Sequence, residues 1–218
     1  MEEKNLTEKE SMELIATMIA NTKKGLMRGE GNLMLFWGYF CLIFLIVENI
    51  CSTLYLMRHN FDMNWDFVMY SRNIWWVIPL VGIPYTLMAR RRRAAGRMVM
   101  TYTDKISNAL WNYVLWLAVA TVIVGAVFFL SGMGVWNVML LFTFFVIGMA
   151  ISFQGIIINE KPMIFGGGFS VICGGFIVIG LIFGNHSFML YAKQLFLVSF
   201  IVMLIIPGHI LNYKAKKA

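Results

Sequence analysis

The sequence predicts an all-α polytopic membrane protein in which six transmembrane helices form a compact antiparallel bundle. Hydrophobic residues make up 60% of the 218 residues and charged residues 13%, whereas soluble domains carry about 25% charged residues. Six apolar stretches are long enough to cross a bilayer core, which takes about 20 helical residues. The basic residues are concentrated in alternate connecting segments, as the loops of a polytopic protein require.

The six predicted spans follow one another with short connections. They cover 33–57, 68–89, 109–130, 134–158, 163–184 and 188–211. Links of a few residues, SGMG, NEKP and GNHS, join the last four spans, so those helices must be antiparallel neighbours. Residues 1–32 are predicted to form a cytoplasmic amphipathic helix, 33–211 the transmembrane domain and 212–218 a basic cytoplasmic tail.

The basic residues predict the orientation. Segments 1–32, 90–108, 159–162 and 212–218 contain 15 of the 18 Lys and Arg residues, and cytoplasmic loops are the ones enriched in such residues. Both termini are therefore predicted to be cytoplasmic, in a bacterial inner membrane. The run RRRRAAGR is interpreted as a topology anchor on anionic lipid head groups, through Arg90, Arg91, Arg92, Arg93 and Arg97. Nucleic acid is not an expected partner.

The tryptophans predict the same spans independently. Trp37, Trp111 and Trp116 fall at the predicted inner edge, and Trp65, Trp75, Trp76 and Trp136 fall at or near the outer edge. Indole rings prefer the head-group level, because it accommodates both an apolar ring and an N–H donor. Both signals therefore give the same boundaries.

The N-terminal segment carries an apolar stripe at helical spacing, formed by Met12, Ile15, Ile19 and Leu26. Two interpretations stay open. The helix could lie in the inner head-group layer, or it could dock a cytosolic partner or a second copy of the chain. Gly25, Gly29 and Gly31 are expected to loosen the chain before the first span.

The stretch LTEKESMELIATMIANTKKG, followed by GNLMLFWGYF, resembles the opening of a group of uncharacterised bacterial multi-pass membrane proteins of similar length. Their genes are associated with small helix-turn-helix regulators. The resemblance covers about the first 40 residues and no catalytic motif. It implies no activity, and it slightly favours a regulatory role.

Ionisable residues inside a membrane are costly and therefore point to function. Glu48 and Lys193 are predicted at similar depth in the outer halves of spans one and six, where they form an ion pair or reach the interface separately. Outside the membrane, His59, Asp62, Asp66 and His186 are residue types that bind Zn²⁺, but their spacing matches no metal motif. Hydrolase and phosphate-loop motifs are missing, so neither an enzyme nor a cofactor is expected.

Glycines and prolines mark special positions in the spans. The glycines Gly168, Gly175, Gly180 and Gly184 predict a close-packed face on span five, with homodimerisation as the alternative. Pro79, Pro84 and Pro207 predict breaks in spans two and six. If the six spans are divided into two halves of three, the halves have inverted topologies. The disrupted spans two and five then take corresponding positions in the two halves, and transporters show this pattern.

Two functions follow from these patterns. The first is a regulatory or accessory membrane component that docks a cytosolic or membrane partner through its N-terminal helix. The alternative is a small dimeric transporter of an apolar or amphipathic solute.

Overall fold

Six helices make up the part of the chain that the structure describes. In the computed structural model, this part comprises residues 8–59, 77–95, 102–130, 141–182 and 194–217. The helices are α1 (Glu8–Arg58), α2 (Val77–Ala95), α3 (Tyr102–Leu130), α4 (Phe142–Ile158), α5 (Lys161–Ile182) and α6 (Gln194–Lys217). These ranges contain no strand, so the predicted all-α class is confirmed.

Four of the helices are long and apolar enough to cross a membrane: Met27–Arg58, Tyr102–Val127, Lys161–Gly180 and Gln194–Lys217. α4 is apolar but shorter, and the described part of α2 carries a run of arginines in its second half. The four long helices indicate a membrane protein. The count of six spans and the orientation of the termini belong to the proposal below.

Polar contacts bring the end of α6 against two other parts of the chain. Asn212 Nδ2 donates a hydrogen bond to Asn32 Oδ1 of α1, at 2.8 Å. Lys214 Nζ lies 2.6 Å from Glu160 Oε2 at the start of α5, and the Glu160 side chain is buried. These contacts place the α4–α5 turn, the C-terminal turns of α6 and residue 32 at one end of the bundle.

Two further contacts bring α2 and α3 to the same end. Gln154 Nε2, near the end of α4, donates to Ser107 Oγ near the start of α3 at 2.8 Å, and both side chains are buried. Arg90 Nη1 of α2 donates to Asn112 Oδ1 of α3 at 3.1 Å. Residues in or next to each of the four segments that the sequence groups as cytoplasmic therefore meet at this end.

α1 is continuous from Glu8 to Arg58, about 77 Å at 1.5 Å per residue. The expected loosening at Gly25, Gly29 and Gly31 is therefore wrong. A Cβ on Gly31 would lie 2.5 Å from Asn212 Oδ1 and 3.1 Å from a backbone oxygen of α6. Helix packing at this point offsets the weak helix propensity of glycine, about 1 kcal/mol relative to alanine. The predicted boundary at residue 32 falls inside one helix, and the division into domains stays a prediction.

Glycines bring two pairs of helices into close contact. On the α1–α6 side, a Cβ on Gly38 would lie 2.6 Å from Ile205 Cγ1. On the α4–α5 side, a Cβ on Gly155 would lie 2.8 Å from the Ile164 backbone nitrogen. A Cβ on Gly167 would overlap the carbonyl oxygen of Gly148. Each of these positions therefore requires a residue without a side chain.

The glycine face predicted on α5 is only partly the packed face. Gly168 and Gly175 have open space where a Cβ would lie, so their predicted role in packing within the bundle is wrong. Gly180 is buried, and Gly184 lies outside the described residues. The packed glycines are instead Gly166, Gly167 and Gly174. Successive helical residues are about 100° apart, so neighbouring glycines take different faces.

The prolines do not interrupt their helices. Pro79 lies near the beginning of the described part of α2, and α2 continues through Pro84. Pro207 is buried in α6, two residues after the end of a π-helical segment, Ile201–Ile205. A proline ring crowds the carbonyl four residues earlier, here Met203, and the wider π turn relieves that crowding. The described helices therefore show no break at these prolines, and the bends expected at them stay predictions.

Gly167 and Gly168 provide a matched test of the packing. Gly167→Ala should lower the free energy of unfolding by about 1–3 kcal/mol, because the new methyl group overlaps backbone atoms of α4. Gly168→Ala should leave it unchanged or raise it by up to about 1 kcal/mol through better helix propensity. Thermal melting of the two variants in detergent checks this, and equal melting temperatures would contradict the packing described.

Candidate functional site

A cavity of about 190 Å³ lies between α1, α2, α3, α4 and α6. Along α2 its lining runs from Ile78 to Arg90, a rise of about 18 Å at 1.5 Å per residue. The cavity therefore extends along the helices. Its lining is mostly apolar and consists of Trp37, Cys41, Ile78, Pro79, Ile83, Thr86, Leu87, Arg90, Trp111, Val114, Leu115, Ala118, Thr121, Val122, Phe142, Thr143, Ile147, Phe196, Phe200 and Leu204.

Trp37 of α1 sets the position of α2 beside this cavity. Its ring occupies the space that a side chain on Gly82 would need. Trp37 Nε1 donates to Thr86 Oγ1 at 3.0 Å, and that hydroxyl donates to the Gly82 carbonyl at 2.7 Å. Next to it, the rings of Phe36 and Tyr85 stack with centroids 3.6 Å apart. A large side chain therefore holds α1 and α2 together here.

Two π-helical segments border the cavity on its other side. The segment Phe142–Ile147 of α4 contributes Thr143 to the lining, and Ile201–Ile205 of α6 contributes Leu204. Ser170 Oγ of α5 donates to the Phe144 carbonyl at 3.2 Å, which gives that carbonyl a partner outside its own helix. Single π turns inside α-helices frequently occur at functional sites.

A cation and an indole N–H group meet at one end of the cavity. Arg90 is half-buried as a residue, and its guanidinium carbon lies over the Trp111 ring, 5.9 Å from the ring centroid. Its Nη1 is held by Asn112 Oδ1 at 3.1 Å. Trp111 Nε1 is buried and has no hydrogen-bond acceptor within the described ranges. The apolar cavity thus ends at a positive charge and a buried donor.

The structure separates Arg90 from the other arginines of the run. Arg91 and Arg92 are exposed, while the Arg93 side chain and Arg97 lie outside the described residues. Arg90 instead lines the cavity, a role that the sequence analysis missed. Its spacing from Thr86 and Ile83, four and seven residues, puts the three on one helix face, and this was the available signal. Lipid anchoring by the arginines stays a prediction.

Trp37 and Trp111 point into the bundle, and their predicted place at the head-group level stays a prediction. Both line the cavity, whereas Trp116 is exposed. The sequence predicts how deep each of the three tryptophans lies in the membrane. It does not show in which direction each side chain points from its helix. Trp111 is therefore a second functional candidate that sequence reasoning missed.

Glu48 is buried in α1 but does not line the cavity. Its Oε1 accepts a hydrogen bond from Ser52 Oγ at 3.1 Å. Gly31 faces Asn212 and Gly38 faces Ile205, and this antiparallel register puts Glu48 level with the first described turn of α6. Lys193 lies outside the described residues, so the ion pair stays a prediction.

The possible metal ligands are not brought together by the part of the chain that is described. His59 follows α1, is exposed, and has its ring centroid 4.4 Å from that of Tyr55. Asp62, Asp66 and His186 lie outside the described residues. The described residues of the chain contain no group of three or more His, Cys, Asp or Glu side chains that could hold a metal ion. The metal hypothesis stays a prediction.

The N-terminal part of α1 presents apolar side chains to its surroundings. Met12 is 72% exposed and Ile15 56%, and Leu14 and Met18 are exposed beside them. The side chains of Ile19 and Leu26 lie outside the described set. We call the four exposed residues the α1 apolar surface.

Comparison with models of known protein families, with curated proteins and with solved structures finds no match to this chain. The resemblance of its first 40 residues therefore stays a prediction.

Thr86 and Thr121 provide a matched test of how Trp37 is held. Thr86→Val should lower the free energy of unfolding by about 1–2 kcal/mol and change tryptophan fluorescence, because Trp37 Nε1 loses its acceptor. Thr121→Val is the control: it lines the same cavity, but its hydroxyl donates only to the Leu117 carbonyl of its own helix. Identical melting temperatures and spectra for both variants would contradict this contact.

Proposed function

We propose that the protein is a small membrane carrier that binds an apolar or amphipathic solute in the cavity between α1, α2, α3, α4 and α6. One observation supports this function above others: a long, mostly apolar cavity that has Arg90 at one end of its lining. Such a site suits a solute with an apolar body and a polar end. A dimer is part of the proposal, because six spans are few for a carrier.

The proposed topology has six spans with both termini in the cytoplasm of a bacterium. Two features support it. Basic residues are concentrated in the four segments that this topology makes cytoplasmic. The contacts of Asn32, Asn112 and Glu160 bring those segments to one end of the bundle. In this arrangement the Arg90 end of the cavity faces the cytoplasmic side, and the exposed arginines reach anionic head groups.

The cavity limits the size of the solute. An apolar cavity of about 150 Å³ holds a benzene molecule, so about 190 Å³ holds roughly eight carbon atoms. Each buried methylene group contributes about 0.8 kcal/mol to binding. This value is for transfer from water, so an eight-carbon chain gains enough apolar contact to enter the cavity from water, whereas against lipid the fit to the cavity retains it.

Ala118 and Ala120 allow a direct test of binding. Ala118 lines the cavity, whereas Ala120, two residues along α3, is exposed. We expect a bromine-labelled eight-carbon alcohol to quench Trp37 and Trp111 saturably in protein-loaded nanodiscs. Ala118→Phe should remove the saturable component by filling the cavity, and Ala120→Phe should keep it.

Two results would contradict a solute site. One is quenching that rises only linearly with the alcohol, as simple partitioning into lipid produces. The other is equal saturable quenching in the Ala118→Phe and Ala120→Phe variants.

A second candidate function is an accessory membrane component, and the α1 apolar surface favours it. α1 extends for 19 residues before Met27, about 28 Å of helix at 1.5 Å per residue. Met12 and Ile15 are exposed on this extension. An amphipathic helix with apolar side chains three residues apart suits a groove on a partner protein.

Substitutions test this docking function better than deletion does. Met27 is in the bundle core, so removing residues 1–29 would also damage the fold. Met12→Ser with Ile15→Ser should abolish recovery of a near-stoichiometric partner from native membranes. Lys9→Ser with Glu13→Ser on the same helix is the control and should retain it. If every version recovers only copies of itself, the accessory function is excluded.

A further inference from the structure

We infer that α1 binds the α1 helix of a second copy of the chain, and that the two helices form a short parallel coiled coil outside the membrane. The contact is made by one edge of the α1 apolar surface, Met12 and Ile15, which we call the α1 seam. This inference rests on the dimer in the proposed function and names where its two copies meet. It follows from the position of the seam along α1, its direction and its register.

The α1 seam lies beyond the part of the helix that a membrane can cover. The candidate span Met27–Arg58 has 32 residues and rises about 48 Å, which already exceeds the roughly 30 Å of a hydrocarbon core. Ile15 lies about 18 Å further along the same unbroken helix. A continuous helix that crosses the bilayer cannot also lie flat on its surface. Apolar side chains exposed at this distance mark a contact with protein and not with lipid.

The α1 seam also points away from the bundle. Gly31 marks the side of α1 that faces α6. Ile15 precedes Gly31 by 16 residues, which turns it about 160° around the helix axis at about 100° per residue. Both residues of the seam are exposed, so the described part of the bundle does not cover them. The seam is therefore accessible to another chain.

The sequence around the seam has the seven-residue repeat of a coiled coil. Spacings of three, four, three and four residues separate five successive positions of α1, which are Met12, Ile15, Ile19, Thr22 and Leu26. All of these positions except Thr22 are apolar. In a parallel pair, each such position packs beside its counterpart in the other helix. The stripe is therefore complementary to itself.

Membrane orientation and charge favour a second copy over another protein. Copies of one membrane protein are inserted with the same orientation, so their α1 helices run parallel and reach the same height. Residues beside the seam of a coiled coil set the choice of partner through their charges. Two copies in register bring Ser11 beside Ala16 and Met18 beside Lys23, so like charges do not meet at these positions. A two-fold contact of this kind uses the same patch on both copies.

Disulfide cross-linking in native membranes, with copper–phenanthroline as the oxidant, tests the contact. Ile15→Cys should give a disulfide-linked dimer, because counterpart residues of the two helices lie within the roughly 7 Å between Cα atoms that a disulfide allows. Leu14→Cys is the control, since Leu14 is also apolar and exposed but lies about 100° around the helix. It should give no more dimer than wild-type protein, whose three native cysteines set the background.

Two cross-linking results would overturn the inference. One is an equal yield of dimer from Ile15→Cys and Leu14→Cys, as unspecific apolar contact produces. The other is a product of Ile15→Cys whose mass is not twice that of the chain, which would identify a different protein as the partner.

A charged variant then tests whether the seam holds the dimer together. Ile15→Lys places two like charges against each other, so the dissociation constant of the dimer should rise at least about tenfold. Energy transfer between donor-labelled and acceptor-labelled copies in liposomes measures it. Leu14→Lys is the matched control and should associate as wild-type protein does. If energy transfer is unchanged in Ile15→Lys, the two copies meet elsewhere and the inference is wrong.

The outcomes separate this inference from the proposed function. Ile15→Lys should keep the saturable quenching by the alcohol, because the cavity is formed within one copy. If wild-type protein shows no saturable quenching but Ile15→Cys still cross-links selectively, the solute site is wrong and the coiled coil stands. If the quenching is saturable but the cross-linking is not selective, the solute site stands and the coiled coil is wrong. If wild-type copies show no energy transfer, both the dimer and the coiled coil are wrong.

Discussion

Close contact between small residues of neighbouring helices is the constraint on which the rest of the bundle depends. Lipid provides no hydrophobic drive between helices, so they associate through close packing and hydrogen bonds. Gly31 and Gly38 let α1 approach α6, and Gly155 and Gly167 bring α4 and α5 together. α2, in contrast, meets α1 through the ring of Trp37. The Trp37 ring also lines the cavity, so the contact between α1 and α2 forms part of the cavity wall.

The helical class could be predicted because composition alone determines it. Only helices or closed barrels satisfy their backbone groups in lipid, and the apolar stretches are too long for barrel strands. The details of packing could not be predicted in the same way. Gly167 and Gly168 are adjacent and chemically identical, yet only Gly167 meets α4. The sequence shows that glycines are present, but which of them faces a neighbour depends on how α5 is rotated. Gly31 likewise looks like a flexible position until α6 is placed against it.

The direction in which polar side chains of the candidate site point could not be predicted from the sequence either. In the sequence, four successive arginines at the end of an apolar span indicate one property, the orientation of the chain in the membrane. Helix geometry gives them different directions, and Arg90 turns to the face that Thr86 and Ile83 share. Nothing in the sequence pairs it with Trp111, because α2 and α3 meet only in the folded chain. Depth in the membrane can therefore be predicted from the sequence, whereas the meeting of a cation with an indole donor requires the structure.

α1 connects the two candidate functions. Trp37 lies in the cavity wall and Met12 in the α1 apolar surface, 25 residues apart on one uninterrupted helix, about 37 Å at 1.5 Å per residue. The Trp37 ring fills the space at Gly82, so a solute that displaced the ring would have to move α1 relative to α2. A continuous helix transmits such a shift along its length, whereas the glycine-rich elbow expected from the sequence would absorb it. Solute binding and partner docking are therefore physically compatible in this chain. A partner held on the N-terminal turns would be sensitive to what occupies the cavity.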